Sequence, residues 1–322
     1  MCEFIISLAN TYGTKKVSFS FHGGEPTLRK DLIEKLCSDV SRTLSGEGLQ
    51  SDFSMVTNGT LIDSETIESF ISFGIDRLLF TLDGDQNIHD HRRPYQDGSG
   101  SFKDVYKNMT EAIDKGMKVY LGINIDMHNY SELNGLLSRL AEDFHGKNNL
   151  VLVFALVMPG KNPGSFLTKY CFKSQKEKAE SMMDLYEKAA NLGLKTSDPF
   201  GSPYCSTRTP SDFVISPSGE VYKCVSLVGQ QESYVGNITD GPERISKNSA
   251  QFLYGWNSFE SSEECRECRY LPMCLGGCIQ QSILHGWEKD CKKEFFRTFL
   301  PRRIMFCVKN EIVGNAEREK CQ

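Results

Sequence analysis

Cysteine is the residue type in this chain whose spacing could do chemistry. Cys205-x13-Gly219-x4-Cys224 is followed by Cys265-x2-Cys268-x5-Cys274-x3-Cys278 and then by Cys291. Deprotonated thiols bind soft metals, and a four-thiolate set holds either a structural zinc or an iron–sulfur cluster. Seven of the twelve cysteines lie in this stretch, enough for one four-ligand and one three-ligand site. Disulfides explain them poorly. The first residues show no basic region running into an apolar stretch, as an export signal would, and a reducing compartment keeps thiols free.

A second group of residues falls where parallel strands are expected to end. The first such strand runs into His22-Gly23-Gly24-Glu25-Pro26, the second into Thr57-Asn58-Gly59-Thr60 and the third into Thr81-Leu82-Asp83-Gly84. The fourth reaches Asn124-Ile125-Asp126 and the fifth Pro159-Gly160. Glycine pairs let backbone groups approach a ligand, while Thr, Asn and Asp offer contacts suited to a ribose or an amino-acid head group. Each motif taken singly reads better as a tight turn. On successive strands of one sheet they point together to a ligand site, because reactive groups of parallel barrels collect at the C-terminal strand ends.

The elements that position these residues are legible in the hydrophobic pattern. Short β-branched or aromatic runs predict strands at Lys16 to Phe21, Phe53 to Thr57, Arg77 to Asp83, Lys118 to Asp126 and Asn149 to Val157. Amphipathic stretches predict helices at about Leu28 to Leu44, Asp63 to Phe73, Phe102 to Lys115, Ser131 to Phe144 and Ser174 to Leu192. Ser174 and Glu177 have the spacing of a capping box. A first helix, Cys2 to Tyr12, precedes any visible strand, so the alternation opens on a helix without its strand and leaves Lys16 to Phe21 as an unpaired sheet edge. From about residue 196 the pattern changes to Pro, Gly and Ser punctuation with short strands at Asp212 to Ser216 and Glu220 to Cys224. Two units are therefore expected, 1–195 and 196–322. The second has too little apolar sequence for a conventional core, so metal sites would supply its order.

The 322 residues carry 37 Lys and Arg against 42 Asp and Glu, a net charge of −5, too mild and dispersed for a nucleic-acid surface or a polybasic membrane patch. The longest apolar run, Leu150 to Met158, is about half of what a bilayer-spanning helix needs. These features predict a cytoplasmic protein with neither a nucleic acid nor a membrane as partner.

The Gly23-Gly24-Glu25-Pro26, Thr57-Asn58-Gly59 and Leu82-Asp83-Gly84 series, the His89-Asp90-His91-Arg92-Arg93 stretch running into Gly98 to Phe102, and the Cys205 to Cys291 pattern together resemble radical S-adenosylmethionine (SAM) enzymes with a SPASM domain. These include anaerobic sulfatase maturases and peptide maturases. The resemblance implies an α/β fold, a partial (β/α)6 barrel here lacking its first strand, followed by a cysteine-rich domain with two auxiliary [4Fe–4S] clusters and a C-terminal helical segment. It implies an oxidoreductase in which a 5′-deoxyadenosyl radical takes hydrogen from a peptide or protein, with flavodoxin or ferredoxin as reductant. Gly23, Gly24, Glu25 and Pro26 would then meet the methionyl amino group of SAM. Thr57, Asn58, Gly59, Thr81 and Asp83 would line its ribose side, and Arg93 would pair with its carboxylate. Cys265, Cys268, Cys274 and Cys291 would hold one cluster, and Cys205, Cys224 and Cys278 the other, whose fourth ligand the sequence does not supply. No catalytic residue is assigned.

Two departures qualify the resemblance. The family's Cys-x3-Cys-x2-Cys loop, which holds the SAM-cleaving cluster, is absent from these residues. As written the chain should not start the reaction, and a misplaced start or truncated gene accounts for this and for the orphan sheet edge better than an evolved non-catalytic chain does. The rival reading is a non-enzymatic iron–sulfur or zinc module for electron transfer or peptide binding. Sulfatase maturases also carry an acid directly after the cysteine corresponding to Cys224, where Val225 stands here. A thioether or carbon–carbon crosslink in a peptide is the better expectation.

Overall fold

The computed structural model describes residues 1–159, 166–197, 205–256, 262–286 and 290–319. Gly160, expected at the end of the fifth strand, and Cys321 lie outside the described residues.

Alternating hydrophobic runs produce alternating helices and strands. In chain order these are α1 (Cys2–Tyr12), β1 (Lys16–Phe21), α2 (Lys30–Gly46), β2 (Gln50–Val56), α3 (Ser64–Ser72), β3 (Ile75–Thr81), α4 (Gln86–Arg92), α5 (Phe102–Asp114), β4 (Lys118–Ile125), α6 (Leu133–Asp143) and β5 (Leu150–Leu156). A short α7 (Phe166–Tyr170) and a long α8 (Gln175–Asn191) follow. The five strands form one parallel sheet in sequence order, with β1 at one edge. The mixed α/β architecture with a parallel sheet is thus the one the sequence predicts. Two elements match their expected bounds, α1 and β1, while β2 begins three residues early and β3 two. Alternation is clearest in β4, where Val119, Leu121, Ile123 and Ile125 are buried and the intervening residues point to the other face. Leu133, Leu136, Leu137 and Leu140 of α6 supply the 3.6-residue complement. At the start of α8 the Ser174 hydroxyl and the Glu177 carboxylate form the expected capping box. The helix α4 is not foreseen from periodicity, being seven residues of mostly polar sequence.

The remaining chain forms a small antiparallel sheet of β6 (Val214–Ile215), β7 (Glu220–Tyr222) and β8 (Tyr234–Asn237), then α9 (Pro242–Trp256), α10 (Glu263–Arg266), α11 (Leu271–Cys274), α12 (Ile279–Leu284) and α13 (Lys293–Glu319). Its apolar residues are better used than the sequence suggests. Val221, Val235 and Ile245 are buried in the same hydrophobic cluster as Phe4 and Ile5 of α1. Phe299 of α13 packs on Ala179 and Met183 of α8, and Cys224, Leu227, Ile279 and Ile283 form a small cluster of their own. The expectation that metal alone orders this region is corrected accordingly, since part of its core is borrowed from the preceding helices. Among the described residues no helix is long and apolar enough to cross a membrane.

Candidate functional site

At the end of β1, Gly23 and Gly24 are exposed and a side chain at either would meet only open space. The next residue, half-buried Glu25, ties two strand ends together. Its Oε1 accepts hydrogen bonds from Thr27 N at 3.1 Å, Thr27 Oγ1 at 2.6 Å and Thr57 Oγ1 at 2.8 Å, and its Oε2 accepts one from Asn58 N at 2.6 Å. A carboxylate has about four acceptor positions, two on each oxygen. Oε1 is therefore fully used and Oε2 keeps room for one further donor. Gly59 has φ +80°, and a Cβ there would sit 2.5 Å from Phe80 Cδ1, so no other residue fits. Pro26 starts the short 3-10 turn that leads into α2.

The ends of β3 and β4 carry a second network. Asp83 is buried and accepts Arg93 Nε at 2.7 Å and Asn124 Nδ2 at 3.0 Å. Burial raises its carboxyl, but Arg93, Asn124 and Arg92 outweigh this and hold it below the usual carboxylate range. Only the Nε of Arg93 is so engaged. Its side chain is 38% exposed, and among the described residues its terminal nitrogens donate no hydrogen bond. Arg92, adjacent in sequence, is turned inward and pairs with fully buried Asp126 at 2.8 Å. Asn129 braces the arrangement by donating to the Asp83 and Asn124 carbonyls at 2.6 and 2.7 Å. His89 locks α4 in place: its Nδ1 accepts from Asp83 N at 3.3 Å and its Nε2 meets Ser101 Oγ at 3.1 Å. Burial lowers the imidazole to about 4. Thr81 closes β3 beside this network, half-buried.

The sequence identifies Asp83 and Arg93 but not the roles of Arg92, Asn129 and Ser101. An Arg-Arg pair offers no local signal of which guanidinium turns inward, because the deciding carboxylate is on another strand.

In the C-terminal region Cys265, Cys268, Cys274 and Cys291 line one cavity of about 380 Å³ together with Tyr270, Lys293 and neighbouring residues. Among the described residues no three His, Cys, Asp or Glu side chains converge closely enough to hold a single metal ion. Thiols arranged around a wider cavity suit a multi-iron cluster better than one zinc, for which the donors would sit at about 2.3 Å from a common centre. Burial raises the Cys224 thiol, and Cys205 and Cys278 act on it in the same direction. Thr207 Oγ1 donates to Cys205 Sγ at 3.0 Å. The Cys274-x3-Cys278 loop turns through three successive residues of positive φ: Leu275 at 49°, Gly276 at 84° and Gly277 at 92°. Leu275 is the only non-glycine of that kind among the described residues, and a Cβ on Gly277 would lie 2.1 Å from the Asp290 carbonyl oxygen. Such strain persists where the surrounding structure over-determines the backbone, as at ligand-binding loops. Lys223 is 1% exposed, donates to the Thr209 and Asp212 carbonyls at 2.8 and 2.5 Å, and is lowered by burial to about 8. Cys37 and Cys171 are buried thiols, raised by desolvation.

Residues 3–140 match the radical SAM superfamily. Over 300 residues the chain is 26% identical to the radical SAM cyclopropyl synthase TigE of Paramaledivibacter caminithermalis, covering 86% of this chain but 57% of that protein. Over 311 residues it is 26% identical to a cysteine-type anaerobic sulfatase-maturating enzyme of Clostridium perfringens, covering 89% of this chain and 82% of the other. Among solved structures, anSMEcpe with bound AdoMet and Cp18Cys peptide superposes with a TM-score of 0.74 at 23% identity, over 97% of this chain and 90% of that one. Streptococcus suis SuiB bound to S-adenosylmethionine gives 0.62 at 17% identity, over 87% and 65% of the two chains. Both structural likenesses concern the fold.

Proposed function

We propose that this chain, a radical SAM protein related to the anaerobic sulfatase and peptide maturases, binds SAM across the ends of β1 to β4 and two [4Fe–4S] clusters between Cys205 and Cys291, and serves the modification of a peptide or protein. The free acceptor position on Glu25 Oε2, beside the open Gly23-Gly24 backbone, suits the SAM ammonium. The outward nitrogens of Arg93 suit its carboxylate, and Thr57, Asn58, Gly59, Thr81 and Asp83 the ribose side. Asp83 aims Arg93, and Arg92 with Asp126 holds the strand end on which Asp83 is braced. Bound there and reduced by one electron, SAM would supply a 5′-deoxyadenosyl radical for hydrogen abstraction, with methionine as the other product.

The observation that carries the reading is the gathering of Cys265, Cys268, Cys274 and Cys291 around one cavity. Cys205, Cys224 and Cys278 form the second set, open to one further ligand. A peptide substrate is supported by relatives that are sulfatase-maturating enzymes and by structures holding the Cp18Cys peptide or the precursor peptide SuiA. Val225 is 46% exposed and carries no acid, which favours a crosslink over sulfatase maturation. Flavodoxin or ferredoxin is the proposed reductant and the cytoplasm, which keeps seven clustered thiols reduced, the proposed compartment.

Anaerobic reconstitution with metal analysis tests the reading. About eight irons, two four-iron clusters, are expected per chain; near-stoichiometric zinc without iron would overturn it. These 322 residues contain no Cys-x3-Cys-x2-Cys triad, so on their own they should release no 5′-deoxyadenosine from SAM under dithionite. The same absence favours a second reading, a non-enzymatic module for electron transfer or peptide binding. Release of 5′-deoxyadenosine in that assay would exclude it.

A further inference from the structure

Arg208 follows Cys205 by three residues and lies on a 3-10 turn whose backbone folds back on that cysteine, Arg208 N donating to the Cys205 carbonyl at 2.7 Å. Its Nη2 reaches 69 residues along the chain to donate to the Gly277 carbonyl at 2.8 Å. Gly277 is the residue between the two halves of the cysteine system: Cys274 before it lines the four-cysteine cavity, and Cys278 after it is in the proposed three-cysteine set. The guanidinium is half-buried with no carboxylate paired to it among the described residues, and its bonds hold it between Cys205 and the loop that carries Cys274 and Cys278. A cation withdrawn from water without a carboxylate is costly unless another anion faces it. Here the anions on offer are thiolates from both ligand sets.

We infer that Arg208 is a cationic bridge between the two auxiliary cluster sites, set to favour the reduced form of both. The inference rests on the proposed cluster reading. A thiolate-ligated cluster is net anionic, and taking up one electron from the reductant makes it more so by one charge with no proton required. A fixed guanidinium near sulfur ligands of both clusters offsets that added charge, so both reduction potentials sit higher than they would without it. Thr207 differs in reach. Its hydroxyl donates to Cys205 Sγ alone and should raise the potential of the three-cysteine cluster only.

Arg208→Gln keeps a donor for the Gly277 carbonyl and removes the charge; Arg208→Lys keeps the charge and loses the fork; Thr207→Val removes a single hydrogen bond. Each reconstituted protein is assayed for iron and then titrated with dithionite while the two cluster signals are followed by electron paramagnetic resonance. At unchanged iron content, Arg208→Gln should move both midpoint potentials to more negative values, Arg208→Lys should restore most of the shift, and Thr207→Val should move one signal only. Two unmoved potentials in Arg208→Gln, or movement of one alone, would overturn the bridge while leaving the cluster reading intact. Loss of one cluster from Arg208→Gln but not from Arg208→Lys, with the retained signal unshifted, would also overturn it. Failure of the unaltered chain to bind iron would sink the cluster reading and the bridge with it.

Discussion

The Glu25 carboxylate accepts the Asn58 backbone N–H at 2.6 Å, joining across 33 residues two motifs that the sequence presents as separate turns. The same carboxylate takes the Thr57 hydroxyl, so one acidic side chain sets the relative position of the first two strand ends. Glu25→Gln preserves shape but turns a donor toward a donor, leaving one of them unsatisfied at a cost of about 1–3 kcal/mol. Calorimetric titration with SAM should show affinity at least roughly tenfold weaker, about 1.4 kcal/mol, with a lowered melting temperature. Unchanged SAM affinity would remove Glu25 from the site.

Arg92 and Arg93 should separate by experiment although they are neighbours. Arg92→Ala strands the fully buried Asp126 carboxylate and should cost about 3–5 kcal/mol in a denaturant titration. Arg93→Ala, at a side chain 38% exposed, leaves buried Asp83 with Arg92 and Asn124 as partners, so it should cost less stability than Arg92→Ala and should in addition weaken SAM binding. Equal stability loss in the two variants would contradict the inward and outward assignment.

Replacing Cys265 and Cys268 together with Ala should remove about half of the bound iron, one four-iron cluster of two. Loss of all iron, or of none, would refute the partition. Limited proteolysis should then cut within α10 to α12, while β6 to β8 and α9 stay protected because Val221, Val235 and Ile245 are packed in the larger core. Cleavage throughout 205–286 would mean that the metal orders the whole region after all.

His89 makes stability depend on pH. Its folded imidazole is lowered by burial to about 4, against 6.5 for a free histidine. Between those values the unfolded chain binds a proton that the folded one does not, so stability is lost as pH falls through that window and is complete above it. The full loss, reached below pH 4, is about 3 kcal/mol. Denaturant titrations at pH 7 and pH 4.5 should show a smaller drop in His89→Gln than in the parent chain; an identical drop would locate the acid sensitivity elsewhere.

The strand and helix order was legible in the sequence because hydrophobic periodicity is a local property. Alternation marks β4, fourfold spacing of leucines marks α6, and Ser174 with Glu177 marks the start of α8, each within about a dozen residues. The cysteine spacing is equally local, and of the two ligand sets it suggests the structure gathers Cys265, Cys268, Cys274 and Cys291 around one cavity. The short polar helix α4 carries no such period, and its place is decided by His89 reaching Ser101 and by Arg92 reaching Asp126 on another strand. Whether the second region had a core was also beyond composition, since Val221, Val235 and Ile245 complete theirs against α1, more than two hundred residues earlier. Arg208 shows the same limit. Its meaning comes from a carbonyl 69 residues away, and only the path of the folded chain brings a donor and an acceptor so far apart in sequence within hydrogen-bond distance.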